Sequence, residues 1–299
     1  MMSSQLPFVT IGISFYNAEA TLLDAVRSVF AQTHKNWELI LVDDGSTDRS
    51  LELARSISDP RVTVHSDGKN RKLAGRLNQL VGLAKYDFIA RMDADDLMAP
   101  NRIETLLKIL CADEKYDLAS CGTYSIKDDG SFNGYRGRAE KNYNFAGLLN
   151  KSQGFLHAGL VARKSWYQRN RYDEAIPLGQ DTELWLRSAR ANDFRAISVA
   201  EPLYMYREEG NVTARKLLLA YRIERNNYAS LIDNKALKLK YIGKSILKTF
   251  IVKIIVLTGT LDYLLHRRNR QDNDDKVIAF FNASLETINS TRIPGVDYE

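Results

Sequence analysis

An α/β fold, with a mainly parallel sheet covered by helices on both faces and a C-terminal helical extension, is predicted by three features of the sequence. Apolar β-branched runs alternate with segments of helical periodicity as far as Met92. Two of these runs stop abruptly in carboxylates, at Asp43-Asp44 and at Asp93 to Asp96. From Ala214 to about Leu265 the pattern becomes mostly helical.

Taken in order, Phe8 to Ser14 is a short strand-like run, and Glu19 to Gln32 carries Leu22, Val26, Val29 and Phe30 at helical spacing. Trp37 to Val42 is a second strand. It ends at Asp43-Asp44-Gly45-Ser46-Thr47-Asp48, a turn able to cap the helix marked by Leu51, Leu53, Ala54 and Ile57. Val62 to His65, a helix from Leu73 to Lys85, and Phe88 to Met92 complete the series. Strands joined by helical crossovers lie parallel, and their ligands sit beyond the carboxyl ends, where both acidic clusters fall. The second half is less regular. Leu118 to Ile126 reads as a strand, Leu156 to Ala162 as another, and Asp181 to Ala191 as a helix led by an acid; Gln271 to Asp275 reads as a linker.

The 299 residues are 44% apolar and 26% charged, which fits an ordinary globular chain and excludes wholesale disorder and a multi-span membrane protein. The net charge of +5 is concentrated between Lys235 and Arg270. Cys111 and Cys121 are too few for a disulfide framework and read as reduced core residues. Met1 to Pro7 lacks the pattern of a signal peptide, so a cytoplasmic protein is expected and the Asn-x-Ser/Thr triplets at Asn211, Asn282 and Asn289 are chance matches. Gly12 opens no Gly-x-Gly-x-x-Gly turn, and Gly243-Lys244-Ser245 follows no strand, which argues against nicotinamide and P-loop sites.

Crowded carboxylates repel one another and favour a cation between them. Mg²⁺ or Mn²⁺ takes such oxygen ligands and keeps positions open for water and phosphate, so Asp93, Asp95 and Asp96 point to a metal that holds a diphosphate. The alternative is a turn capping the helix that Pro100 starts. At the other cluster, an acid could accept the imide N–H of uracil.

Four segments in order, Ile13-Ser14-Phe15-Tyr16-Asn17, Val42 to Asp48, Ala74-Gly75-Arg76-Leu77-Asn78 and Met92 to Asp96, closely resemble the family 2 glycosyltransferases of the Rossmann-like GT-A fold. The resemblance covers roughly residues 6 to 210. It implies a nucleotide-sugar donor, expected to be UDP-linked, a divalent metal, and inversion at the anomeric carbon by a hexosyltransferase. It also implies roles: Asp44 on uracil, Phe15 and Asn17 lining the nucleotide pocket, and Arg71 and Arg76 near the base or diphosphate. Asp93 and Asp95 match the Asp-x-Asp element that holds ribose and metal, with Asp95 the better ligand and Asp96 structural. Gly179 to Arg187 resembles the element supplying the catalytic base, although Gln180 stands where the family has Glu; Asp181 carries over, with Glu183 in reserve. An acceptor hydroxyl must lose a proton as it attacks, which suits a carboxylate there; the competing reading is a helix-start acid favoured by the dipole. His157 aligns with a segment that faces the acceptor, or is a core histidine. After Tyr206-Arg207 the family's usual histidine is replaced by Glu208-Glu209, which leaves Arg207, Arg215 or Lys216 to neutralise the diphosphate.

Leu239, Ile242, Ile246, Phe250, Ile254 and Leu257 recur at helical spacing, while Lys240, Lys244 and Lys248 occupy another side. Thr249 to Leu265 is short for a membrane span and contains Lys253 and Asp262, so this basic amphipathic helix is expected to lie on an anionic membrane surface or to pack on the catalytic domain. A catalytic domain over 1–213 follows, its nucleotide-binding half reaching about 98 and its acceptor half spanning 99–213, with a helical region over 214–299. On the membrane reading the enzyme is peripheral at the inner face of the cell membrane and extends a polyprenyl-diphosphate-linked glycan of the O-antigen or capsule type. No nucleic-acid partner is expected. The competing readings are a sugar nucleotidyltransferase, which would carry a Gly-rich loop where this chain has Phe15-Tyr16-Asn17-Ala18, and a non-catalytic sugar-nucleotide-binding module, which would lack a usable base.

Overall fold

The computed structural model describes residues 5–208, 213–258 and 274–297. Its first half runs β1 (Val9–Phe15), α1 (Leu22–Phe30), β2 (Trp37–Asp43), α2 (Ser50–Arg55), β3 (Val62–His65), α3 (Lys72–Leu83), β4 (Phe88–Asp93), β5 (Leu97–Met98) and α4 (Arg102–Ala112). The second half runs β6 (Leu118–Ile126), β7 (Phe132–Arg136), α5 (Phe145–Leu149), β8 (Val161–Arg163), α6 (Lys164–Arg169), α7 (Gln180–Arg190) and β9 (Ala196–Arg207). Three further helices follow: α8 (Ala214–Leu231), α9 (Lys235–Leu257) and α10 (Asp275–Ser290).

The described strands form one sheet in the order β3-β2-β1-β4-β8-β6-β9-β5, with β7 beside β6. Both faces are buried. In β2, Leu39 and Leu41 join the core shared with α1 and α4, whereas Ile40 and Val42 join the core shared with α3, α6 and α7. Burial on both faces explains why these strands read as continuous apolar runs. The block β3-β2-β1-β4 is parallel, as the alternation predicts. Beyond it the sheet is mixed, because β8 runs antiparallel to β4 and β6, while β9 is parallel to β6.

Several expectations change. Only Val161–Arg163 of the apolar stretch that begins at Leu156 is strand. Phe155 is apolar for another reason: its ring packs edge-on to Trp185 and Phe194, with centroids 5.4 and 5.3 Å away. Cys121 is buried, but Cys111 falls on the solvent side of the end of α4 and is exposed. The Asp93 to Asp96 turn does not cap α4, whose N-cap is Asn101. The region after residue 213 is not one extension. α8 and α9 form a hairpin against α7, whereas α10 and the residues after it belong to the core around the sheet, with Phe281, Ile288 and Ile293 buried beside α1. Arg27 pairs with Asp297 and donates to the Thr291 carbonyl, which fastens that segment to α1. No described helix is long and apolar enough to cross a membrane. The part of the Thr249 to Leu265 window beyond Thr258, and the start of the Gln271 to Asp275 linker, lie outside the described residues.

Candidate active site

Three loops meet where β1 and β2 end. The Phe15 carbonyl accepts from the Asp44 amide at 2.8 Å. Asn17 sits at φ 49°, in the left-handed region that Asn tolerates, and its Oδ1 accepts from the Thr47 amide at 2.8 Å. Gly45 is at φ 78°, and a Cβ there would come within 3.0 Å of the Lys69 backbone, so the turn closes tightly on the third loop. The Phe15 side chain is packed in the core, so it shapes this site through its backbone.

Asp44 is buried and already satisfied on one side. Its Oδ1 accepts from the Arg71 amide at 2.6 Å and from Arg76 Nε at 2.9 Å, and its Oδ2 accepts from the Lys72 amide at 3.2 Å. Arg76 is fully buried and also donates to Gln79 at 2.6 Å, to Asp67 at 2.7 Å and to the Lys69 carbonyl. Arg76, expected near the base or diphosphate, is enclosed here, with four hydrogen bonds that tie Asp44, the 67–72 loop and α3 together. Arg71 is exposed, with its guanidinium on Asp67. For Asp43, burial alone would raise the pKa, but hydrogen bonds from Ser46 and Ser66 outweigh it and hold the carboxyl below the usual range.

The end of β4 is electrostatically different. Oxygens of Asp93, Asp95 and Asp96 lie within 4.8 Å of one another. Asp96 is buried, accepting from Tyr204 Oη at 2.7 Å and from the Arg207 amide at 2.9 Å. Burial and the charges of Asp93 and Asp95 push its pKa well up. Tyr204 Oη also receives the Asp93 amide at 3.1 Å, so β9 fixes the turn from below. Asp93 pairs with Arg91. Asp95 is exposed as a residue, yet the burial of its carboxyl and then the charge of Asp93 raise its pKa. Three hard oxygen donors held together, with the Asp95 and Asp96 carboxyls raised in pKa, are a donor set that fits Mg²⁺ or Mn²⁺.

Gly179, at φ 72°, turns the chain into α7, so Asp181 and Glu183 fall in its first turn. Burial raises the Asp181 pKa, opposed by Arg91 and assisted by Asp93, which places Asp181 within electrostatic reach of the β4 cluster. Glu183 is instead bound by Arg187 at 2.7 Å. His157 is buried, with Nε2 2.7 Å from Tyr172 Oη, and burial followed by the Arg91 charge pushes its pKa well down. Arg207 is largely buried and donates to the Asp128 carbonyl at 2.6 Å. α3 links the two acidic ends: Arg76 holds Asp44, while Asn78 donates to the Tyr172 carbonyl at 3.0 Å on the path toward α7.

Two residues escape sequence reasoning. Arg91 is a buried cation paired with Asp93 and felt electrostatically by Asp181, and its only signal is a basic residue inside an apolar strand. Burial would lower its pKa, but Asp93 outweighs this and keeps it charged. Tyr16 is 51% exposed between Phe15 and Asn17, a ring left open at the mouth of the first cluster.

The family model described as "Glycosyl transferase family 2" matches residues 10–175. The glycosyltransferase EpsE of Bacillus subtilis is 30% identical over 258 residues, covering 82% of this chain and 90% of EpsE. The succinoglycan biosynthesis protein ExoO of Rhizobium meliloti is 28% identical, covering 70% of this chain and 63% of ExoO. Among solved structures, S. aureus TarS 1-349 in complex with UDP-GlcNAc superposes with a TM-score of 0.62 at 13% identity, covering 94% of this chain and 81% of that one. The mannosyltransferase PcManGT of Pyrobaculum calidifontis, in complex with GDP-Man and Mn²⁺, gives a TM-score of 0.59 at 14% identity, covering 95% and 87%. The family match over residues 10–175 and the 30% identity to EpsE, together with the GT-A fold and the acidic β4 end, show that the chain belongs to glycosyl transferase family 2.

Proposed function

We propose that this chain transfers a sugar, with inversion, from a UDP-linked donor to a hydroxyl of a growing, lipid-linked bacterial surface glycan. The observation that carries the reading is the carboxylate of Asp181 at the start of α7, raised in pKa and within reach of Arg91 and Asp93. Polysaccharide assembly is suggested by the name of ExoO, and the donor class by the UDP-GlcNAc complex of TarS.

Asp181 takes the proton of the acceptor hydroxyl as that oxygen attacks C1 of the donor sugar, and the C1–O bond to the diphosphate breaks on the opposite face. Asp44 Oδ2, held only by the Lys72 amide, accepts the uracil imide N–H, and the Tyr16 ring offers a stacking face. Asn17 orders the loop around the nucleotide, and Arg71 reaches the diphosphate side from the exposed 67–72 loop. Asp95 and Asp93 would hold Mn²⁺ or Mg²⁺, and the ion when bound would offset the charge of the departing diphosphate. His157 and Arg207 support the floor; Glu183, engaged by Arg187, leaves the base role to Asp181. Asp181→Asn should slow transfer about 10³-fold while UDP with Mn²⁺ still raises the melting temperature. Unchanged turnover would remove Asp181 from this role.

The α9 hairpin supplies the membrane contact, at the inner face of the cell membrane. α9 contains six lysines and no acid. Its Leu247, Phe250, Ile254 and Leu257 side chains are more than half exposed. An apolar face flanked by cations is the chemistry of an anionic bilayer surface, each lysine contributing about 1 kcal/mol. Phe250→Asp with Ile254→Asp should abolish co-sedimentation with phosphatidylglycerol vesicles; retained sedimentation would refute the contact.

A further inference from the structure

A second concavity lies away from the carboxylate cluster. It is a groove of about 890 Å³ between residues 141–146, the C-terminal end of α7, and the residues that lead into β6 and β9. That volume falls among ligand sites, which span roughly 300–1,000 Å³.

Its lining is chemically one-sided. Lys115, Lys141, Arg190 and Arg195 line it together with Tyr143 and Phe145, and no carboxylate does. Three of the cations have carboxylate partners outside the lining: Asp113 is 2.8 Å from Lys115, Asp233 is 2.8 Å from Arg190, and Asp117 is 2.7 Å from Arg195. Lys115, Arg190 and Arg195 keep 65%, 39% and 48% of their side chains exposed, so these pairs do not seal the cations off from solvent. Lys141 makes no ion pair among the described residues. Cationic donors bind carboxylates strongly, and aromatic rings accept the C–H face of a sugar. A sugar ring carrying an acid group satisfies both.

Position supplies the rest. Asp181 and Arg190 stand at opposite ends of α7, nine residues apart, which is about 13 Å along the axis. We infer that this groove binds an acidic stretch of the glycan being extended, apart from the end that reacts. The inference rests on the reading of Asp181 as the base that faces the acceptor. Glycan held there stays attached to the enzyme between additions.

The test uses the full chain and trigalacturonate, a small acidic saccharide, followed by saturation-transfer NMR. Binding is expected, weakened about tenfold or more by Lys115→Glu with Lys141→Glu. Both side chains are solvent-facing, and the doubly substituted chain should keep the melting shift given by UDP and Mn²⁺. No transfer to trigalacturonate, transfer that survives the double charge reversal, transfer equal to that of neutral maltotriose, or transfer lost on adding UDP and Mn²⁺ would each overturn the assignment. Absence of the UDP shift in the parent protein would count against the proposed transferase reaction instead, and leaves the NMR result on the groove standing.

Discussion

The acidic ends of β2 and β4 look alike in sequence and are opposite in electrostatics. At the β2 end the protein has already answered the charge: Asp43 is held by Ser46 and Ser66, and Asp44 by two amides and the buried Arg76. At the β4 end Asp93, Asp95 and Asp96 crowd one another, and the pKa of both Asp95 and Asp96 is raised. Carboxylates that donors satisfy build structure, whereas carboxylates left to repel one another store an affinity for an external cation. The contrast marks the first cluster as braced by the protein's own donors and the second as the donor set that would hold a cation.

The largest expected effect breaks the first cluster. Asp44→Ala removes three hydrogen bonds and leaves the buried Arg76 with Asp67 as its sole carboxylate. Removing one partner of a buried pair costs about 3 kcal/mol, to be read as a lower urea midpoint at constant slope. A loss under about 1 kcal/mol would mean the loop does not depend on Asp44.

The second cluster should respond in the reverse sense. Asp95→Asn removes a charge that Asp93 repels, so stability without ligand should hold within about 0.5 kcal/mol or rise slightly. Mn²⁺ affinity in the presence of UDP, followed by electron paramagnetic resonance of the free ion, should fall about 100-fold. Equal Mn²⁺ binding by the variant would move the cation site elsewhere.

How much of this was legible beforehand follows from the range of the interactions. The β3-β2-β1-β4 block could be read because its pattern is local: each strand is buried on both faces and each helix has one apolar stripe. The place of α10 could not, since Phe281 and Ile288 find their partners on elements far away in sequence. Leu156 to Ala162 misled for a related reason, because a buried loop and a strand both ask for apolar residues, and Ala158 and Leu160 are buried ahead of the short β8. The motifs singled out Asp44, Asp93, Asp95 and Asp181 as candidates, but they did not reveal that Arg76 is enclosed within the protein. That depends on where Asp67 and the Lys69 carbonyl fall once the loop is folded. Nor could the two acidic ends be told apart, because the donors that separate them arrive from other loops.

The smallest effect sharpens the same contrast at a third carboxylate. Asp181 belongs with the β4 cluster: burial raises its pKa, the Asp93 charge adds to this, and Arg91 opposes both. A base works only when deprotonated, so kcat/KM should fall as pH drops through that raised pKa, about tenfold per unit, with its midpoint above the ordinary aspartate value. The sign for stability is opposite to that of a salt-bridged acid. A carboxyl whose folded pKa lies above its unfolded value binds its proton more tightly when folded, so its contribution is full below the unfolded pKa and is lost as pH rises through the folded one. Asp43, whose folded pKa is lowered, contributes above its unfolded pKa and loses that contribution as pH falls. Between the two ranges, activity should decline on acidification before the β2 end loosens. A kcat/KM profile that stays flat down to the pH at which the protein begins to unfold would place Asp181 among the satisfied carboxylates and remove the distinction.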